Sequence, residues 1–321
     1  MSNKKVSVVI PVYGVEAYIE RCVRSLFEQT LEDIEYIFID DCTPDRSISI
    51  INQLEEEYHQ QLVLQDKSVV VKSMPRNSGS AEARKCGIQF CTGEYIIHCD
   101  SDDWMELDML QKMYEKAKSM DADIVMCGYS ETDGINILKR CYNKSDDKNK
   151  LIPNLLTLKE SCSLWNKLCK RTLYDNQIIF PTLSMGEDMA LTMQLVLNAE
   201  QIGIVPEVLY NYFYNANSIT KDQSESSRHK HWLESAKNAE IVESVFVNKG
   251  LEHDFEQEIV YLKFLQKKLA GNLSRKRKYS GEWLRMFHEI NMKVFCLPSI
   301  SISEKLKYGI TMLFAKILRA L

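Results

Sequence analysis

The chain contains 321 residues and has an ordinary globular composition, with 45% hydrophobic and 26% charged residues. This mixture, with only 12 glycines and 7 prolines, excludes a disordered or fibrous chain. The formal net charge of −5 is unevenly distributed. Residues 260–321 hold thirteen Lys or Arg and three Asp or Glu and so carry +10, whereas the residues before them carry −15. An acidic body and a basic tail indicate two different binding partners.

The ten cysteines and the first residues predict the compartment. No Cys-x-x-Cys pair occurs, which excludes a zinc knuckle or a thioredoxin motif. The apolar run at 6–10 is ended by Pro11 without a cleavage site, so it does not read as a signal peptide. No run reaches the ~18 apolar residues of a membrane span. We therefore expect a cytoplasmic protein.

Strand and helix patterns alternate through the first 130 residues. Runs rich in β-branched residues predict strands at 6–10, 35–40, 69–74, 94–99 and 123–127, and helical spacing predicts helices at 16–29, 43–58, 80–91 and 106–120. This alternation predicts an α/β protein with parallel crossover units. Further helices are predicted at 164–175 and 187–200, and the last hundred residues are helical throughout. We predict one domain at 1–220 and a helical region at 221–321.

Carboxylates cluster where two predicted strands end. Asp40 and Asp41 follow the second strand, and Asp100, Asp102 and Asp103 follow the fourth. Ligands of open α/β sheets bind at this edge, and five neighbouring carboxylates repel one another unless a cation or hydrogen-bond donors compensate. Helix capping accounts for Asp103 but not for Asp100 and Asp102, which lie further from the next helix. Their Asp-x-Asp spacing favours a divalent cation shared with substrate phosphates.

Several short segments occur in the order and approximate spacing of one known family. They are VSVVIPVYG, Gln29-Thr30, YIFIDDCTPDRS, NSGSAEARKCGI, GEYIIHCDSDD and GEDMAL. Over about residues 5–220 the sequence resembles the family 2 glycosyltransferases of GT-A fold. The segments WNKLCKR and LYNYFYNANSIT are similar to the branch that builds bacterial surface polysaccharides and lipopolysaccharide. The resemblance implies a Rossmann-like, mostly parallel sheet flanked by helices, here with a C-terminal helical extension.

The resemblance also implies a UDP-sugar donor, a saccharide or lipid-linked saccharide acceptor, and a division into a nucleotide-binding half at 1–103 and an acceptor half at 104–220. The nucleotide base would be lined by Pro11, Val12 and Tyr13, and Asp41 would form a hydrogen bond with the uracil or its ribose. Asp102, with Asp100, would hold Mn²⁺ or Mg²⁺ on the diphosphate. The remaining donor-binding candidates are Asp40, Arg84 and Ser101.

Asp188, in the segment GEDMAL, matches the family's catalytic base, and Glu187 beside it is a second candidate. An acceptor alcohol is a poor nucleophile, so it needs a positioned carboxylate to take its proton. A single displacement by that alcohol inverts the anomeric centre. The alternative for both acids is stabilisation of the helix that starts here, through its dipole.

Two positions depart from the family pattern, which has asparagine where Gly14 stands and glycine where Cys42 stands. Both affect loop shape more than chemistry. The sequence has no Gln-x-x-Arg-Trp, the mark of processive synthases, so transfer of one sugar is favoured.

The other candidates have a structural alternative of similar weight. Arg84 could reach the diphosphate or form a salt bridge on a helix surface, and His98 is interpreted as a packed histidine. The acceptor-site candidates are Trp104, Trp165, Asn166 and Lys167. The tryptophans could stack on a sugar or belong to the core.

The C-terminal segment predicts a basic amphipathic helix. Its apolar residues share one arc: Ile302, Leu306, Ile310, Leu313, Phe314, Ile317 and Leu321. Lys305, Lys316 and Arg319 lie opposite, and an RKRK run occupies 275–278. We predict peripheral contact of residues 274–321 with the anionic inner face of the cell membrane. The alternatives are packing on the domain or a homodimer contact.

Two other functions are alternatives to enzymatic sugar transfer. A nucleic-acid-binding protein could use the RKRK run, but the acidic body and the lack of a nucleic-acid motif argue against this. A catalytically silent sugar-nucleotide-binding or scaffold protein would keep the fold and lack turnover. We expect no nucleic acid partner.

Overall fold

The computed structural model describes residues 4–175, 177–214, 222 and 224–320. Its first half contains four parallel strands in the order β3-β2-β1-β4. They are β1 (Val6–Val12), β2 (Ile34–Asp40), β3 (Ser68–Ser73) and β4 (Tyr95–His98). The connecting helices are α1 (Ile19–Phe27), α2 (Ser47–Leu64) and α3 (Ser80–Ile88). β1, β2 and β4 read as nearly continuous apolar runs because both faces of the sheet are covered.

The second half extends the sheet with strands of mixed direction. The strands are β5 (Trp104–Met105), β6 (Ile124–Thr132), β7 (Ile137–Cys141), β8 (Lys167–Lys170) and β9 (Ile202–Phe213). β8 lies antiparallel between β4 and β6, β6 pairs parallel with β9, and β9 pairs antiparallel with β5. The helices are α4 (Met109–Met120), α5 (Lys148–Leu156), α6 (Thr172–Asp175) and α7 (Glu187–Asn198).

The core lies on both faces of the sheet, and alternate side chains of each strand enter opposite layers. Val8 and Ile97 pack with α1 and α4 on one face, whereas Val9 and Ile96 pack toward α5 and α7 on the other. This is the two-residue period expected for strands covered on both sides.

The C-terminal region is helical, as predicted. Its helices are α8 (Glu225–Asn248), α9 (Glu256–Leu269), α10 (Arg277–Arg285) and α11 (Ile302–Ala320). The fully buried Trp232 and Phe246 of α8 share a core with α7. Across the described residues, every helix is too short or too polar to cross a bilayer.

Four predicted helices differ from the structure at their start or in type. The helix predicted at 16–29 spans only Ile19–Phe27. The segment predicted as a helix at 164–175 contains strand β8. The backbone enters the sheet here because the amide of Cys127 donates to the carbonyl of Asn166 at 3.1 Å. α2 begins at Ser47 rather than at residue 43. The Asp45 carboxylate accepts hydrogen bonds from the amide of Ser47 at 3.1 Å and from the amide of Glu16 at 2.9 Å. These bonds hold the residues before Ser47 in a loop. α4 begins three residues late because β5 pairs with β9 first.

The boundary predicted between residues 220 and 221 and the end of the segment LYNYFYNANSIT lie outside the described residues, as does Leu321. The division at residue 220 stays a prediction.

Candidate active site

Asp41, directly after β2, closes the loop that leads into α3. Its two carboxylate oxygens accept hydrogen bonds from the backbone amides of Ser78 and Gly79, each at 2.7 Å. Gly79 has φ +87°, a conformation that favours glycine. Burial raises the pKa of Asp41, and these two amides oppose that shift. Each oxygen keeps a second lone pair for a ligand donor.

The residues predicted to line the base lie beside Asp41. The amide of Asp41 donates to the carbonyl of Val12 at 3.0 Å, which joins the ends of β1 and β2. Tyr13 is 43% exposed, whereas Pro11 is half-buried and Val12 is buried. Asp40 turns to its own loop, where it accepts from the amide of Thr43 at 2.8 Å. Tyr13 is thus the exposed aromatic group at this strand end.

The loop after β4 is anchored by Asp103. This buried carboxylate accepts from the hydroxyl of Tyr210 at 2.8 Å and from the amide of Phe213 at 2.7 Å. The same Tyr210 oxygen accepts from the amide of Asp100 at 3.1 Å. Burial, reinforced by Asp100 and Asp102, raises the pKa of Asp103 far above its ordinary value. Helix capping is therefore the wrong interpretation of Asp103, which ties the loop to β9.

Arg84 joins two parts of the site that are distant in sequence. One guanidinium nitrogen, Nη1, donates to Glu187 at the start of α7, and the other, Nη2, donates to Asp100 at the end of β4. The Arg84 side chain is only 6% exposed, so a salt bridge on a helix surface is excluded. Burial lowers the pKa of Arg84, but its carboxylate neighbours more than offset this and the net shift is upward. The acids at the strand ends and the start of α7 thus meet at the buried guanidinium of Arg84.

Glu187 and Asp188 lie in the first turn of α7, after Gly186 with φ +81°. Burial raises the pKa of Asp188 to about 6, and Arg84 opposes the shift. Burial also raises the pKa of Glu187. Asp188 Oδ1 and Glu187 Oε2 are buried without a hydrogen-bond partner among the described residues. A buried carboxylate oxygen without a hydrogen-bond partner destabilises the folded protein. These two oxygens are therefore suited to accept a hydrogen bond, or a proton, from the hydroxyl of a bound molecule.

Three of the four acceptor-site candidates lie inside the protein. Trp165 is 5% exposed and stacks on Tyr210 with ring centroids 4.3 Å apart. Asn166 donates to the carbonyl of Cys127 at 3.0 Å, and Lys167 donates to that of Ser163 at 2.7 Å. These residues are buried and hold backbone, and their part in an acceptor site stays a prediction.

Trp104 is half-buried beneath a residue that the sequence did not single out. The Arg21 guanidinium lies 3.7 Å from the Trp104 ring centroid and donates to the carbonyl of Asp102 at 3.0 Å. No sequence signal marks Arg21, whereas Tyr210 lies in a quoted family-like segment. His98 is buried and its Nε2 lies 3.2 Å from the Tyr174 hydroxyl, as expected of a packed histidine.

A divalent cation fits this site only together with a substrate. Within the described part of the chain, no group of three Asp, Glu, His or Cys side chains is arranged to hold a metal. Asp102 is half-buried and Asp100 shares one oxygen with Arg84, while Ser101 is buried between them. One or two carboxylates plus phosphate oxygens and water are the usual ligands of Mg²⁺ in nucleotide sites, so the donor set is compatible.

Solved structures share this architecture. S. aureus TarS aligns with a TM-score of 0.70 at 20% identity, covering 98% of this chain and 53% of TarS. TarS 1–349 in complex with UDP-GlcNAc aligns with a TM-score of 0.59 at 16% identity, covering 98% and 91%. The mannosyltransferase PcManGT from Pyrobaculum calidifontis, in complex with GDP-Man and Mn²⁺, aligns at 0.55 and 15% identity, covering 98% and 85%. The sheet with its strand-end acids is therefore of GT-A fold.

Sequence comparison gives the family. The model "Glycosyl transferase family 2" matches residues 7–177, a little over half of the sequence. The chain belongs to glycosyl transferase family 2, as its motifs predicted.

Curated relatives are longer than the part they share with this chain. Glycosyltransferase GlyA of Streptococcus pneumoniae is 28% identical over 282 residues, which are 84% of this chain and 38% of GlyA. Glycosyltransferase EpsJ of Bacillus subtilis is 31% identical over 237 residues, 67% of this chain and 63% of EpsJ. The poly(ribitol-phosphate) beta-glucosyltransferase of Bacillus spizizenii is 31% identical over 214 residues, 65% of this chain and 32% of that enzyme. The match thus spans less than two thirds of each relative.

Proposed function

We propose that the protein is an inverting, metal-dependent glycosyltransferase. It moves a single sugar from a UDP-sugar to a hydroxyl of a saccharide or lipid-linked saccharide, in the synthesis of a bacterial surface polysaccharide. The observation that carries the proposal is the meeting of Asp100 and Glu187 at Arg84. It brings the edge of the sheet where a nucleotide diphosphate binds next to the helix that carries the candidate base. The TarS complex with UDP-GlcNAc and the poly(ribitol-phosphate) enzyme support the donor and acceptor classes.

Asp188 is the proposed base. Its buried Oδ1 accepts the hydrogen bond of the acceptor hydroxyl and then its proton as the new glycosidic bond forms. With a pKa of about 6, the carboxylate is ionised at neutral pH and is more basic than an ordinary aspartate. The acceptor oxygen attacks the anomeric carbon opposite the departing UDP, so one displacement inverts that centre. Glu187 positions this turn of α7 through Arg84.

Asp102 and Asp100 are the residues that would hold Mn²⁺ or Mg²⁺, and the ion would neutralise the charge that develops on the leaving diphosphate. Ser101 is buried between them, and Asp103 anchors the backbone that follows. On the nucleotide side, Tyr13 offers a ring for the base, and Asp41 has lone pairs for uracil or ribose donors.

We also propose that residues 274–321 contact an anionic membrane surface, where a lipid-linked acceptor would lie. The apolar arc of α11 faces outward: Ile302, Leu306, Ile310 and Leu313 are 78%, 63%, 60% and 60% exposed. The opposite side is anchored, because Tyr308 and Ala315 are buried. Since an exposed apolar stripe next to basic residues is typical of interfacial helices, a bilayer is the proposed occupant.

A screen of UDP-sugars tests the enzymatic proposal. We expect Mn²⁺-dependent turnover of one donor, loss of that turnover in EDTA, and loss in the variant Asp188→Asn with retained UDP binding. Inversion is read from the anomeric configuration of the product by NMR. UDP binding without turnover of any donor by the parent protein would support the silent scaffold instead.

A further inference from the structure

A groove with an apolar floor and a basic rim lies beside the loop that precedes α7. Leu183 of that loop, Leu233 of α8 and Tyr279 of α10 form the floor. Lys230, Lys237 and Lys278 form the basic side of what we call the lysine groove, whose volume is about 480 Å³. Its remaining lining residues are Ser226, His229 and one acid, Glu234, so the lysines outnumber the acid by three to one. It is built by three segments from both predicted regions of the chain.

The groove and the candidate base share one piece of backbone. The Asn238 side-chain amide donates to the carbonyls of Leu183 and Met185, each at 2.8 Å. The amide of Met185 in turn donates to Glu234 at 3.3 Å. Glu187 and Asp188 follow at once as the first turn of α7. A molecule bound in the lysine groove therefore lies against the loop that sets the position of the candidate base.

The chemistry of the groove indicates an elongated anion. Lys230 and Lys237 are two helical turns apart on α8, about 10 Å along its axis. Lys230 lies 3.7 Å from Glu234, whose side chain is 13% exposed, and Lys237 lies 2.8 Å from the half-exposed Glu240. Both lysine side chains are themselves more than 60% exposed, so these pairs within one helix hold them weakly. Spaced ammonium groups beside apolar walls suit repeated phosphates joined by short carbon units, which present charge and hydrocarbon alternately.

We propose that the lysine groove binds the phosphate-bearing part of the acceptor. This inference rests on the proposed function and deepens it, because it gives the acceptor class: a saccharide or polyol chain that carries phosphodiesters. The acceptor's phosphates lie among the three lysines, its carbon units lie on Leu233 and Tyr279, and the hydroxyl to be glycosylated extends along the 183–186 loop toward Asp188.

The test compares two charge-neutralised proteins. In the groove variant Lys230, Lys237 and Lys278 become Gln, and in the control variant Lys118, Lys139 and Lys150, which also pair with nearby acids, become Gln. The probes are a glycerol-phosphate oligomer of about six units and a neutral oligosaccharide of similar length. We expect the groove variant to bind the oligomer about tenfold more weakly than the parent and the control variant. UDP binding and UDP-sugar hydrolysis should match the parent in both variants.

The outcomes separate the groove from the enzymatic proposal. No measurable binding of the oligomer by the parent, or equal binding by parent and groove variant, overturns the lysine groove even when UDP-sugar turnover is normal. Absence of UDP-sugar turnover in the parent overturns the enzymatic proposal without touching the binding result. If the groove variant loses flotation on phosphatidylglycerol vesicles but keeps its affinity for the oligomer, the lysines serve a membrane and the inference is wrong.

Discussion

Arg84 and Glu187 form a buried ion pair that joins α3 to the first turn of α7. Both side chains are less than one tenth exposed, and the second amino group of Arg84 is held by Asp100. An ion pair of this kind contributes less to stability than its geometry suggests, because both charges are removed from water. Its clear effect is to fix the distance between the strand-end acids and the candidate base.

Replacement of Arg84 by Met should therefore be costly. It leaves the buried Glu187 and the partly exposed Asp100 without their cation, and breaking a buried ion pair typically costs ~3–5 kcal/mol. We expect that loss in urea unfolding at pH 7, together with loss of turnover. Arg84→Lys keeps the charge but cannot bridge both acids, so it should restore part of the stability and little of the activity. Equal stability of Arg84→Met and the parent would contradict this account.

The titration of Asp188 predicts opposite effects on activity and stability. Turnover should fall about tenfold per pH unit below pH 6, where the base is protonated. Burial raises the pKa of Asp188 above its value in the unfolded chain, so the folded protein favours the protonated acid. The resulting contribution to the free energy of unfolding is complete below about pH 4 and is lost as the pH rises through 6.

Asp188→Asn should consequently abolish turnover yet raise the free energy of unfolding at pH 7, by at most about 3 kcal/mol. Thermal unfolding from pH 4 to pH 8 measures the difference. Asp45→Asn is the matched control, because hydrogen bonds from Ser47 and Thr43 outweigh burial and lower the pKa of Asp45 to about 2. That substitution should destabilise the protein at neutral pH, and a gain in stability there would contradict the reasoning.

Elements that depend on local sequence signals could be predicted, and those that depend on contacts between distant segments could not. β1, β2 and β4 were predicted from sequence because apolar runs and strand-end acids are local signals. β8 was missed because Leu168 and Cys169 become strand residues only by pairing with β4 and β6, which are distant in sequence. Local propensity cannot report such pairing.

The same distinction holds for the site. The acids at 100–102 and 187–188 were found through their motifs, and their roles stay predictions. The contacts of Arg84 with Glu187 and of Asp103 with Phe213 were not found, because these partners lie about a hundred residues apart in the sequence. The apolar arc of α11 was correctly grouped by its period, but the period does not tell which side faces the body.

Tyr210 should prove as important as the acids that it holds. Tyr210→Phe removes the hydroxyl that donates to Asp103 and accepts from the amide of Asp100. Because an unpaired buried polar group costs ~1–3 kcal/mol, we expect a loss of that size in chemical unfolding. Displacement of the 100–103 loop should also raise the Mn²⁺ concentration needed for half-maximal donor turnover. Tyr58→Phe, at a half-exposed hydroxyl between Glu28 and Arg24, should leave that metal dependence unchanged. The same metal dependence in Tyr210→Phe and the parent would separate this tyrosine from the site.

The outward face of α11 gives the last prediction. Leu306, Ile310 and Leu313 are at least 60% exposed, so their combined replacement by Ser should leave the fold intact and preserve turnover of a water-soluble acceptor. It should abolish flotation on phosphatidylglycerol vesicles, because the helix loses the apolar area that enters the interface. The control is Lys150→Ser, an exposed change far along the chain from this helix. Unchanged flotation would remove the membrane proposal. A concentration-dependent dimer in sedimentation of the parent that dissociates in the triple variant would assign the face to a second copy of the chain.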